Sequence, residues 1–342
     1  MPPVRLGIAT AKFERNMIDI SIVIVTWNTK KIACECLDSL RQCQRDTAME
    51  VIVVDNASSD GTPEAIAEQY PEVKLIRNES NMGFARANNV GIRASSGRYV
   101  CLINSDVIVS DGCLQAMVRY MDQRRDVGVL GPRMRLADGT TGDSCMRFPT
   151  VGNWFCRALA LDTLFKRWGL FGGFLMREFR YDRIQDVDVL TGWFWMVRRQ
   201  ALDRAGLLDE RFFMYGEDIE WCKRFHEAGW KVVFYPDAEA THYCGASAAN
   251  APVRFYVEMQ RANMQYVEMY HAWPGRIGFW LASGLHEILR IAAFGLVYLA
   301  RPSERASAAH KVGRSMACLR WLVGFRRPSR PHGVSDRQPQ CS

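Results

Sequence analysis

The sequence predicts an α/β fold, a mostly parallel central sheet covered by helices on both faces, and three observations predict it. Short apolar runs rich in β-branched residues alternate with helix-like stretches; the runs are apolar throughout, as parallel strands buried on both faces are; and Asn28, Asp55 and Asp106 stand at their carboxyl ends, where such sheets bind ligands. Taken in order, ISIVIVTWN (Ile20 to Asn28) reads as the first strand and Lys30 to Gln42 as a helix. EVIVVDNASSDGT (Glu50 to Thr62) is a strand and its turn, followed by the helix PEAIAEQY with Pro63 and Glu64 in its first turn. VKLIRN is the third strand, ARANNVGIRAS a helix ending near Gly97, and RYVCLINSD the fourth strand.

From Gly142 to Asp188 the pattern breaks into aromatic and basic stretches, as suits a long excursion that covers a site or touches lipid. Order returns with VDVLTGWFWMVRRQALDRAG and EDIEWCKRFHEAGWKVVFYPDAEATHY: a strand, a helix, a polar turn, a helix ending at Gly229 and a strand. Strand alternation puts Trp193 and Trp195 on one face. From about Ala251 the chain reads as mainly helical.

The 342 residues carry a net charge of +7, and Arg301 to Ser342 alone holds nine Arg and Lys against two acids. The basicity therefore belongs to a tail, which could be simply solvated or could meet anionic lipid, and a nucleic-acid binder with all its charge there is a poor reading. Eleven cysteines without a CxxC pair, and an N-terminus without an apolar core, suggest reduced thiols in the cytoplasm. Residues 1–16 carry no signal, and Met17 could be the start.

The stretch LINSDVIV, Leu102 to Val109, puts a carboxylate where the next core residue should sit. Such a group needs water, a cation or donors beside it. The turn after the first strand, TWNTKK, is neither a GxGxxG fingerprint nor a Walker A loop, so a metal ion is the natural means of holding a diphosphate, and Asp106 is its natural ligand. Farther on, Glu217 and Asp218 of MYGEDIEW open a helix, where carboxylates also serve as caps.

In order, VTWN, VVDNASSDGT, NMGFARANNVGI, LINSDV and the block from Leu190 to Ser247 resemble the inverting glycosyltransferases of family 2, within the rhamnosyltransferase-like branch. The resemblance implies a GT-A nucleotide-diphospho-sugar transferase fold, a nucleotide-diphosphate sugar donor, Mg²⁺ or Mn²⁺, and direct displacement with inversion. It implies that Thr26, Asn28 and Asp55 hold the base and ribose, although Asp55 also suits an ordinary turn, and that Asn88 lies near the donor phosphates unless it is a plain helix residue. Asn104-Ser105-Asp106 stands at the family's Asp-X-Asp position with one carboxylate missing, so Asn104 would contact the donor while Asp106 and His242 ligate the metal. Asp218 would be the general base, its pKa held low by the helix N-terminus. Glu217 and Trp193 would contact the acceptor.

Ile277 to Ala300 is apolar and long enough to span a bilayer, but Ser283, His286, Glu287 and Arg290 form a narrow polar stripe on it. An in-plane helix at an anionic membrane surface fits this best, against a core helix or a true span. The expected organisation is thus a catalytic domain over 17–250 (donor half about 17–110, acceptor half about 111–250), a helical membrane-associating extension over 251–300 and a basic tail over 301–342. The expected function is metal-dependent transfer of a sugar, L-rhamnose from dTDP-L-rhamnose or else a UDP-hexose, to a lipid-linked or growing bacterial surface glycan by a protein peripheral on the inner face of the plasma membrane. The contrary reading is a catalytically silent sugar-nucleotide-binding or scaffold protein.

Overall fold

The structure, a computed structural model, describes residues 18–43, 48–165, 171, 173–245 and 252–324. The N-terminal segment 1–16, the junction 246–251 and the tail beyond Gly324 lie outside the described residues.

The N-terminal part alternates β1 (Ile20–Thr26), α1 (Lys30–Cys43), β2 (Met49–Asp55), α2 (Thr62–Gln69), β3 (Lys74–Arg77), α3 (Phe84–Arg93) and β4 (Tyr99–Asn104). These four strands pair in parallel in the order β3-β2-β1-β4. Their all-apolar runs are explained by two cores, one on each face: Ile20, Ile22 and Ile24 of β1 point into one, and Val23 into the other.

Beyond β4 come β5 (Val107–Val109), α4 (Cys113–Gln123), β6 (Val127–Arg135), β7 (Cys145–Met146), α5 (Val151–Ala158) and α6 (Leu161–Leu164). Next are β8 (Gln185–Asp186), β9 (Val189–Leu190), β10 (Phe194–Arg198), α7 (Arg199–Ala205), α8 (Glu217–Glu227) and β11 (Lys231–His242). The sheet continues β4-β10-β6-β11-β5, with β10 antiparallel to both of its neighbours. Trp193 lies in the turn before β10, so alternation begins only at Phe194. Trp193 consequently packs into the core of Phe194 and Met196, and Trp195 into the opposite one; the two tryptophans do not share a face.

The described residues of the excursion 142–188 pack on β11 through Phe179 and Tyr181 and on the long helix Trp273–Ala300 through α5. Helix α5 has a capping box, in which the Thr150 side chain accepts from the Asn153 backbone and the Asn153 side chain from that of Thr150. Three long helices follow: α9 (Pro252–Tyr270), α10 (Trp273–Ala300) and α11 (Arg305–Gly324), so the part of the basic tail that is described is a helix packed on α10.

On α10 the polar stripe faces the protein rather than water. Trp154 Nε1 donates to Ser283 Oγ at 3.0 Å, and Glu287, with no exposed surface, accepts from Tyr256 Oη at 3.0 Å and Gln260 Nε2 at 3.3 Å. The outward face is apolar, with Trp273, Ile277, Trp280, Leu281, Ile288, Leu289, Leu296 and Leu299 exposed. The reversal has a simple cause: a buried carboxylate is tolerable where it is hydrogen-bonded, and α9 supplies the donors. Among the described residues, α10 is the one helix long and apolar enough to cross a membrane.

Candidate active site

β4 ends at Asn104, and the turn through Ser105 and Asp106 leads into β5. β5 runs antiparallel to β11 in a register that sets Val107 opposite His242, and this brings the imidazole to Asp106. His242 Nε2 lies 3.1 Å from Asp106 Oδ1 and 3.5 Å from Asn104 Nδ2, and its other ring nitrogen is 3.4 Å from Cys244 Sγ. Trp193 stacks on the imidazole with ring centroids 5.4 Å apart and 16° between planes, while its carbonyl accepts from the Asn104 backbone at 2.9 Å. Both edges and one face of His242 are thus held in place.

The residue types suit a hard divalent cation only in part. Asp106 offers a carboxylate oxygen and His242 a ring nitrogen, but no group of three His, Cys, Asp or Glu side chains that could hold a metal is found among the described residues. Two convergent donors fit a cation whose remaining ligands come with a diphosphate and water. With Nε2 turned to a cation, the Nδ1 proton would face Cys244 Sγ, a contact that orients the ring.

The second carboxylate pair opens α8. Tyr215, with φ of 68°, and Gly216, with φ of 78°, both adopt left-handed backbone just before it; a Cβ on Gly216 would lie 3.1 Å from Ala262 Cβ. This constrained turn aims Glu217 and Asp218 into a cavity. Asp218 Oδ1 accepts from the Ile219 backbone at 2.9 Å, and the backbone of Gly192 also supports it. The low pKa expected for Asp218 is not what the structure gives: burial lifts it to about 6 against those backbone donors. Glu217 is lifted well above the carboxylate range by burial and then by the charge of Asp218.

Two cavities meet at this point. One, of about 250 Å³, is lined by Trp27, Asn56, Asn104, Asp106, Tyr215 and His242 among others. The other, of about 500 Å³, is lined by Asn104, Trp193, Glu217, Asp218 and His242 and walled by the excursion through Met146, Trp154, Arg157 and Phe174. The larger volume is that of a small-molecule site, and the smaller lies just below that range. Asn104, Tyr215, His242 and Cys244 belong to both, so the cavities adjoin across the Asp106–His242 pair.

The other residues singled out from the sequence lie nearby in different settings. Thr26 Oγ1 donates to Asp55 Oδ2 at 3.0 Å, both buried, and Asn28, with φ of 52°, accepts from the Ser59 backbone at 2.7 Å. None of the three lines the smaller cavity, where their neighbours Val25, Trp27 and Asn56 do. Asn88 lines neither cavity: it is 1% exposed, and its amide donates to Phe84 O one turn back at 3.0 Å, which leaves no phosphate contact to it. Trp27, Asn56 and Tyr215 were not picked out from the sequence, although the aromatic in VTWN was a signal for the first.

Residues 21–206 match the family model described as "Glycosyl transferase family 2". The chain is 28% identical over 254 residues, 68% of its own length and 78% of the relative's, to a protein named N-acetylglucosaminyl-diphospho-decaprenol L-rhamnosyltransferase from Mycobacterium tuberculosis. To glycosyltransferase AglE from Haloferax volcanii it is 24% identical over 296 residues, 84% of each chain. Among solved structures, mannosyltransferase PcManGT from Pyrobaculum calidifontis in complex with GDP-Man and Mn2+ covers 91% of this chain and 88% of its own at 16% identity, with a TM-score of 0.53, a likeness of fold.

Proposed function

Because the chain belongs to glycosyl transferase family 2 and is a glycosyltransferase, we propose that it moves L-rhamnose from dTDP-L-rhamnose, with inversion, to a hydroxyl of a lipid-linked bacterial surface glycan. The observation that carries this reading is the junction of the two cavities, with a metal-ligand pair on one side and a carboxylate pair on the other. The acceptor in that relative's name, an N-acetylglucosaminyl diphospholipid, and its L-rhamnosyl transfer support the choice of sugar and acceptor.

In this reading the smaller cavity takes the nucleotide. Trp27 offers a stacking face, Thr26, Asn28 and Asp55 brace the strand ends and turn that carry it, and Asn104 meets a ribose hydroxyl. Asp106 and His242 would hold Mg²⁺ or Mn²⁺, which when bound neutralises charge developing on the leaving diphosphate. The acceptor sugar occupies the larger cavity against Trp193 and Glu217. Its hydroxyl oxygen attacks the anomeric carbon, the bond from that carbon to the phosphate oxygen breaks with its electrons going to the nucleotide diphosphate, and the hydroxyl proton passes to Asp218. A carboxylate lifted to about 6 is a better base than an ordinary one and is still ionised at neutral pH.

The apolar outer face of α10 and the basic residues after it support a peripheral position on an anionic inner leaflet, where a lipid-linked acceptor is found. The test is incubation of the purified protein with N-acetylglucosaminyl diphospholipid, Mn²⁺ and a panel of nucleotide sugars. Release of dTDP from dTDP-L-rhamnose, in excess over UDP from UDP-hexoses, is expected. Release from a UDP-hexose alone would overturn the donor.

A further inference from the structure

The larger cavity contains a cation that the chemistry above does not use. Arg157, in the last turn of α5, lines it together with Glu217 and Asp218. Its guanidinium lies 5.6 Å from the centre of the Phe174 ring, also in the cavity wall. Among the described residues no ion pair with Arg157 is found; the carboxylate that acts on it, Asp162, lies 3.8 Å from Arg177. Arg177 and Arg290 are near enough to add like charge, and Glu287 is engaged by Tyr256 and Gln260. A cavity corner with this excess of positive charge and little water favours an anion, which a guanidinium binds through paired hydrogen bonds.

The setting of α5 narrows the choice of anion. The helix lies along α10: Val151 packs at Gly278, Trp154 bonds Ser283, and His286 bonds the backbone of Arg157. Burial, then the charges of Arg157 and Arg290, push His286 down to about 4, so it adds no charge of its own at neutral pH. Beyond these contacts α10 turns to solvent with Trp280, Leu281, Ile288 and Leu289. An anion at Arg157 thus lies between the cavity of Asp218 and an exposed apolar face, the order of parts in an amphiphile that carries sugar, phosphate and hydrocarbon.

We infer that Arg157 binds the diphosphate of a polyprenyl-linked acceptor, so that the cavity selects its acceptor by the charge next to the sugar as well as by the sugar. The inference rests on the acceptor entering the larger cavity, as in the reading above. Farnesyl diphosphate is the probe, titrated against full-length protein saturated with dTDP and Mg²⁺ to fill the donor side, with farnesol and inorganic pyrophosphate as controls. Arg157→Ala is expected to weaken farnesyl diphosphate at least tenfold and leave farnesol unchanged, Arg157→Lys, which keeps the charge but not the paired donors, to fall between wild type and Arg157→Ala, and pyrophosphate to bind at least tenfold more weakly than the lipid. Equal loss of farnesol and farnesyl diphosphate in Arg157→Ala, unchanged binding of both, no binding of farnesyl diphosphate to wild type, or pyrophosphate binding as tightly as the lipid would each overturn it. Failure of the wild type to use any sugar donor would strike the transfer reading and leave this binding result intact.

Discussion

Asp106 and His242, 136 residues apart in sequence, stand with carboxylate oxygen and ring nitrogen 3.1 Å apart because β5 and β11 pair antiparallel with His242 opposite Val107. That pairing sets a lone carboxylate at the end of a parallel strand beside a ring nitrogen, as the proposed ligand pair requires. If both residues ligate the cation, Asp106→Ala and His242→Ala each raise the Mn²⁺ concentration needed for turnover. Calorimetric titration with dTDP should find both variants weakened only when metal is present, and Asp106→Ala the more, since its charge attracts the cation while His242 fixes geometry. Asn104→Asp should tighten metal binding before donor arrives. Wild-type dTDP binding that is indifferent to Mn²⁺ would remove the ligand assignment.

The raised pKa of Asp218 has two consequences that can be measured separately. The base form is lost as pH falls through about 6, so kcat should drop about tenfold per unit below that value. For stability the sign is opposite to that of a salt-bridged carboxylate. The folded state keeps the proton after the unfolded chain, with an ordinary value of about 3.9, has released it, so the contribution is fully present below that value and is lost as pH rises through about 6. Asp218→Asn should therefore melt at or above wild type at pH 8, with the gap closing near pH 4. A variant clearly less stable than wild type at pH 8 would contradict the burial account.

Gly216 is the hinge on which the carboxylate pair is aimed. With φ of 78° and a Cβ that would meet Ala262 and Phe212 at 3.1 Å, Gly216→Ala should cost about 1–2 kcal/mol in urea unfolding and lower turnover by displacing Glu217 and Asp218. Unchanged stability would mean that the turn relaxes freely.

Membrane attachment is tested on the face that the structure exposes. Leu289→Glu with Leu296→Glu should reduce flotation with anionic vesicles, since both side chains are exposed on α10. Removal of 325–342, which carries four arginines against one aspartate, should weaken it further, each net charge near the surface being worth about 1 kcal/mol. The cut follows Gly324 so that α11, which packs on α10, is kept. Equal flotation of all three proteins would count against the docking face.

Much of this was legible in the sequence. Apolar runs ending in Asn28, Asp55 and Asp106 marked the parallel strands, because strand ends have local signals, whereas Asp218 and His242 were singled out through the resemblance to family 2. What depended on partners was not legible. Periodicity found the polar stripe of α10 but could not say that Tyr256 and Gln260 would take it inward, and it could not see that Asn88 would bond its own helix. Trp193 fell on the wrong face because the strand begins one residue later. The pKa of Asp218 turned on burial in a cavity that the excursion and α9 help to wall, and no local pattern encodes that packing.

The most direct test of the whole account is Asp218→Asn assayed for binding and transfer in the same preparation. Calorimetry should find dTDP-L-rhamnose binding within about threefold of wild type, while turnover with the diphospholipid acceptor falls by at least about 10²-fold, since an amide cannot take the hydroxyl proton. Turnover near the wild-type rate would contradict the account at its centre.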